Sequence, residues 1–204
     1  MAGTDRLMRV KLVACDSGGK EGVTHRAYQF WSNLRAEGGG LHNRFQLVKG
    51  DPTPSAPRAK ISYPDANRKD RNSGLRGDVP VLMLSPNVLK DQLDALLNRM
   101  GAVCWPEWLP DEFFAELCVE VRGLKGWENP QRRRNEAWDL LYYTVGVCVW
   151  LKVEHFNWES PPGWAKPVAE NDLCRVVTEV AKLAPVEPKR GGPSMAEMAR
   201  ALAG

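Results

Sequence analysis

From Arg9 to Ala14 the chain alternates basic and apolar residues before reaching Cys15, which predicts a strand whose end presents Asp16. Ser17-Gly18-Gly19 breaks that strand. From Thr24 to Ala36 the apolar period lengthens to that of a helix, with Ala27, Phe30, Trp31 and Leu34 on one face and Gly38-Gly39-Gly40 as its stop. Phe45 to Val48 follows as a second short strand, closed by Gly50-Asp51-Pro52. Strand, glycine turn, helix and strand in this order predict a parallel, right-handed crossover and an α/β fold.

Farther along, Thr53 to Asp78 shifts to Pro, Arg, Lys, Asn and Gly, and reads as a long surface excursion. Val79 to Leu84 is a strand candidate, followed by a helix from Pro86 to Met100 with Leu89, Leu93, Leu96 and Leu97 on its buried side. Val103 to Leu109 is turn-like, Pro110 to Leu117 helical, and Cys118 to Arg122 strand-like. The major helix is expected from Asn135 to Val153, with Asn135 as N-cap. Ser160-Pro161-Pro162-Gly163 has the composition of a linker and Asp172 to Leu183 that of a helix. Pro185 to Pro193 is a second linker before a short helix over Ser194 to Ala203, which places Met195, Met198, Ala199 and Leu202 on one side. No internal repeat is present.

With 204 residues, 43% of them hydrophobic, the chain can bury one core, so one domain (1–158) with a linker and helical tail (159–204) is expected. A formal charge of +3 does not by itself indicate nucleic-acid binding, because phosphate recognition depends on local clustering. Cys15, Cys104, Cys118, Cys148 and Cys174 are odd in number, lack a Cys-x-x-Cys pair, and read as reduced thiols in a cytosolic core. Met1 to Arg9 has no apolar stretch of the kind a secretory signal needs. Leu140 to Leu151 is shorter than the roughly 20 apolar residues of a bilayer span and reads as a buried helix.

The candidate chemistry sits at the two ends of this pattern. Asp16 ends an apolar strand, where α/β sheets bind ligands, and Glu136 and Asp139 begin the major helix three residues apart on one face. Capping explains an Asp in a turn, and the helix dipole explains acidity at a helix start. Asp139, however, lies between Trp138 and Leu140-Leu141, where an ionised carboxylate is costly unless paired or metal-bound. Lys49 closes the second strand, and either neutralises phosphate there or covers exposed backbone. Arg132-Arg133-Arg134 and the basic residues between Arg58 and Gly77 are either solvated or placed to hold DNA phosphates. A nucleotide cradle would need a Gly-Lys-Thr or Gly-x-Gly-x-x-Gly element, and a serine hydrolase a Gly-x-Ser-x-Gly elbow; neither is present. His25, His42 and His155 lack ligand spacing.

Asp16-Ser17-Gly18-Gly19, Arg133-Arg134-Asn135-Glu136-Ala137-Trp138-Asp139 and the terminal Ala199-Arg200-Ala201-Leu202 occur in the order seen in the carboxy-terminal endonuclease region of lambda-type phage terminase large subunits, the GpA family, which the chain resembles. The resemblance implies an RNase H-like nuclease domain that cuts concatemeric phage DNA during packaging. It further implies Mg or Mn held by Asp16 and Asp139, catalysis by Asp16, Asp139 and Glu136, with Asp51 the other option for a further carboxylate, and double-stranded DNA at Lys49, Arg132, Arg133 and Arg134. The implied partners are the small terminase subunit and the portal, the latter through the tail, in the host cytoplasm and with no membrane. Such nucleases carry a further Asp on a first strand upstream of the element matched by Asp16. Only fifteen residues precede Asp16, so that strand is expected to be missing. The alternative is accordingly a catalytically incomplete fragment serving as a DNA- or portal-binding module, with a generic integrase or resolvase disfavoured.

Overall fold

The structure, a computed structural model, describes residues 5–19, 22–64 and 78–176. In chain order the strands and helices are β1 (Arg6–Met8), β2 (Val13–Asp16), α1 (Val23–Ala36), β3 (Phe45–Gly50), β4 (Ala59–Ser62), β5 (Val81–Leu84), α2 (Pro86–Leu97), α3 (Asp111–Leu117), β6 (Val121–Gly123), β7 (Gly126–Glu128), α4 (Glu136–Trp150) and β8 (Cys174–Val176). They fall into two compact units, one within 12–157 and one within 1–11 and 158–204.

The first unit is a mixed α/β fold around a sheet of order β2-β3-β5-β4. β2, β3 and β5 run parallel, as the β2-α1-β3 pattern predicts, and β4 lies antiparallel on the edge beside β5. Alternation along β3 and β5 divides the interior into two layers. Leu47, Val79 and Val81 pack with Tyr28 and Trp31 of α1. Val48, Leu82 and Leu84 pack with Leu89 and Leu93 of α2 and with Trp138 and Tyr142 of α4. A sheet covered on both faces is the usual setting for parallel strands.

Several expectations change. The excursion from Thr53 to Asp78 contains β4, whose Ile61 packs against the α2/α4 layer, because the edge of β5 offers an unpaired partner that composition does not reveal. Phe30, expected in the core, is 48% exposed and stacks edge-on against Phe45 at 5.1 Å, while Tyr28 takes the buried place. Cys118 to Arg122 resolves into β6, paired with β7 in a hairpin. None of the five cysteines is fully buried: Cys104 and Cys118 are exposed, whereas Cys15, partly buried, packs against the layer under α1.

In the second unit β1 pairs antiparallel with β8, Leu7 opposite Arg175. Cys174–Val176 is therefore a strand inside the span expected to be a helix, Asp172 to Leu183, whose residues from 177 on lie outside the described residues. Asn171 orders the preceding loop: its Nδ2 donates to the Trp164 and Lys166 carbonyls at 2.9 and 2.8 Å, and its Oδ1 accepts from the Leu173 amide at 2.9 Å. The expected tail helix, Ser194 to Ala203, lies outside the described residues. Among the described residues no helix is long and apolar enough to cross a membrane.

Candidate active site

Parallel β2 and β3 end side by side, with Asp16 opposite Val48. The backbone turns sharply after Asp16 because Ser17 is fully buried and pinned, its amide and its hydroxyl both donating to the Val48 carbonyl at 2.9 Å. Thr24 Oγ1 donates to the Ser17 carbonyl at 2.7 Å and ties the start of α1 to the same turn. Ser17 is thus a structural pin, and Asp16, exposed at the strand end, accepts the Gly18 amide at 2.8 Å in the two-residue turn that its side chain favours. Lys49 of β3 runs alongside, its Cγ within 3.9 Å of where a Cβ on Gly18 would lie.

From the other side α4 brings Asp139, Tyr142 and Tyr143. Residues three and four positions beyond Asp139 share its helical face. The Tyr142 and Tyr143 rings lie 4.4 Å apart between centroids, α4 packs against β2, and both phenols feel the Asp16 and Asp139 charges. Burial raises both phenol pKa values above the usual range, which keeps the two hydroxyls protonated as donors. The Asp16 charge also reaches Asp139 and adds to a rise in the Asp139 pKa that burial chiefly causes and Lys90 opposes.

Asp139 is itself paired. Lys90 Nζ of α2 lies 2.8 Å from Asp139 Oδ1 and also 2.8 Å from Glu120 Oε2. Asn135 Nδ2 donates to Glu120 Oε1 at 2.6 Å and to Asp139 Oδ2 at 3.3 Å. Asn135 thus precedes α4 as expected, but its side chain does not cap the helix. Glu116 of α3 does so instead, accepting the Ala137 amide at 2.8 Å and Arg134 Nε at 3.0 Å. The sequence left open whether Asp139 would be paired or metal-bound, and the structure provides a buried ammonium partner.

The other candidates stand apart from this cluster. Glu136 is exposed on the first turn of α4. Asp51, at the end of β3, is held by Lys60 at 2.8 Å and accepts the Thr53 amide at 3.1 Å, an arrangement that lowers its pKa to about 2. Among the described residues no group of three His, Cys, Asp or Glu side chains is arranged to hold a metal, so neither Glu136 nor Asp51 completes such a set. Arg132 and Arg133 are exposed in a loop clamped by Asn129, which accepts the Arg133 amide at 3.0 Å and donates to its carbonyl at 2.6 Å. Arg58 pairs with Glu154 at 2.7 Å and Lys60 with Asp51, so these two cations are already engaged; Arg68, Lys69, Arg71 and Arg76 lie outside the described residues.

Sequence reasoning missed Lys90, Glu120 and Tyr143. For Lys90 a signal was present: it shares the helical spacing of Leu93 and Leu97 and therefore sits on an apolar face where a lone lysine needs a partner. Glu120 alternates with Val119 and Val121, which places it on the opposite side of that segment.

No match is found among curated proteins or among solved structures. A family model does match, over residues 2–158, and that span takes in Asp16, Lys90, Glu120, Asp139 and both tyrosines. The chain belongs to the family of the terminase large subunit gpA, endonuclease domain.

Proposed function

We propose that residues 1–158 form a divalent-metal-dependent DNA endonuclease of RNase H-like architecture that cuts concatemeric phage DNA during genome packaging, with 159–204 as linker and tail. The family match supports the endonuclease class. The observation that supports the site assignment is the packing of α4, which carries Asp139, against β2, which ends at Asp16, close enough for the Asp16 charge to be felt at Asp139.

These residues fit a hard cation in one specific way. Mg²⁺ is commonly held by one or two carboxylates, its other positions being filled by water and phosphate oxygens. Asp16 and Asp139 supply that number, and the repulsion between them is what a cation would relieve. When bound, Mg or Mn would polarise a phosphodiester and activate water. The protein's own part is to orient Asp16 through the Gly18 amide, to hold Asp139 through Asn135, and to present Lys49, Arg132 and Arg133 to the phosphate backbone. Glu136, exposed two turns before Tyr143, remains the third acidic residue proposed for catalysis and not as a cation ligand. Mg or Mn, double-stranded DNA, the small subunit, the portal and the host cytoplasm complete the proposal as the family's packaging role implies.

Asp16→Asn and Asp139→Asn should each abolish divalent-dependent nicking of supercoiled plasmid while the circular dichroism spectrum stays native. Nicking that survives both substitutions would remove the assignment. The second reading, a binding module without catalysis, is favoured by the Lys90 pairing of Asp139; plasmid that stays intact in Mg²⁺ and Mn²⁺ but is retained by the wild-type chain would establish it.

A further inference from the structure

We propose that Lys90 is the resident counter-ion of Asp139, a positioning residue that holds this carboxylate before a divalent cation arrives and yields it when the cation binds. The inference rests on the reading of Asp16 and Asp139 as the cation-holding pair.

Lys90 lies in α2, its side chain 9% exposed, with Asp139 and Glu120 carboxylates both at 2.8 Å and the Tyr142 ring centre at 5.0 Å. A lysine so placed needs a negative partner, and it has two. The two are not equivalent. Glu120 is as enclosed as the lysine, 6% exposed, and offers both oxygens, at 2.9 and 2.8 Å; Asp139 is 33% exposed and offers one. If Asp139 turns toward a cation beside Asp16, Lys90 remains neutralised by Glu120, and Asn135, bonded to both carboxylates, keeps Glu120 in place. Glu120 therefore lowers the cost of releasing Asp139, whereas the Lys90 charge raises the cost of binding a cation there.

This arrangement predicts opposite signs for two substitutions in one cluster. Removing the Lys90 charge should strengthen cation binding, and removing the Glu120 charge should weaken it, because Lys90 would then depend on Asp139 alone. A purely structural role would weaken binding in both cases. Mn²⁺ alone, titrated by calorimetry into the full chain without DNA, reads the effect directly. Lys90→Met should bind Mn²⁺ about tenfold more tightly than wild type, and Glu120→Gln more weakly. Lys90→Arg, which keeps the charge, should stay near wild type.

Lys90→Met leaves Glu120 and Asp139 both without their cation and can fail to fold. The double variant Lys90→Met/Glu120→Gln leaves only Asp139 charged and should bind more tightly than Glu120→Gln. Asp139-dependent Mn²⁺ binding in wild type with no gain in either Lys90→Met background would overturn the inference while leaving the cation pair standing. Absence of Mn²⁺ binding throughout, or binding unchanged by Asp139→Asn, would overturn both.

Discussion

At the scale of single residues, Tyr143 brings a phenol of α4 within reach of the Asp16 charge, and burial together with that charge keeps it protonated. Tyr143→Phe removes the hydroxyl and leaves Asp16 with its Gly18 amide at 2.8 Å. Loss of a group that orients a metal ligand typically lowers metal affinity or activity about 10–100-fold. Tyr143→Phe should therefore reduce divalent-dependent nicking while thermal stability stays near wild type. Nicking that remains at the wild-type rate would show that Tyr143 serves only the packing of α4. The carboxylates themselves were legible in the sequence because each sits at the end of a recognisable element. Their partners were not, since Lys90, Glu120 and Tyr143 approach from α2, the segment before β6, and a later turn of α4, and only tertiary packing brings these together.

At the scale of elements, helices α1 to α4 and the parallel strands β2, β3 and β5 were legible, whereas β1, β4, β7 and β8 were not. β3 and β5 contain fully buried Leu47, Val48, Val81, Leu82 and Leu84, an apolar density that sequence displays openly. β4 and β8 owe their conformation to partners distant in sequence, Leu82 opposite Ile61 and Leu7 opposite Arg175, and neither partner is visible in the local pattern. A similar dependence on neighbours shapes α4. Gly146 is buried, and a Cβ built there would lie 2.6 and 2.9 Å from the Leu84 methyls and 3.1 Å from Leu89 Cδ1. Helix propensity favours alanine at this position by about 1 kcal/mol, but overpacking a filled core costs about 1–3 kcal/mol. Leu84 and Leu89 are both fully buried and cannot move aside into solvent, so packing should prevail. Gly146→Ala should lower the urea midpoint with an unchanged m-value; a raised midpoint would mean that α4 can shift away from β5. Because α4 also carries Asp139 and Tyr143, a shifted helix would move the site as well.

Charge, which counts at the scale of the whole molecule, is nearly balanced at +3, so any attraction to DNA must come from where the cations stand and not from their sum. The structure sorts them. Arg58 and Lys60 are committed to Glu154 and Asp51, and Arg134 to Glu116, so reversing any of these breaks an internal pair. Arg132 and Arg133 are exposed in the loop that leads into α4, with no carboxylate partner among the described residues. Arg132 also has a positive φ of 50°, which Asn129 helps to hold through its two bonds to Arg133. Holding the backbone of these two arginines in a clamped loop before α4 would let them bind phosphate with less further ordering. Each phosphate contact contributes about −0.9 to the slope of log K against log salt, so Arg132→Glu/Arg133→Glu should weaken DNA binding and flatten that slope by roughly 2, regardless of base sequence. Lys60→Glu provides the contrast: it repels Asp51, lowers stability, and should leave the salt slope as in wild type. If the two sets of variants changed the salt slope equally, DNA attraction would follow total charge, and the loop before α4 would have no special part in it.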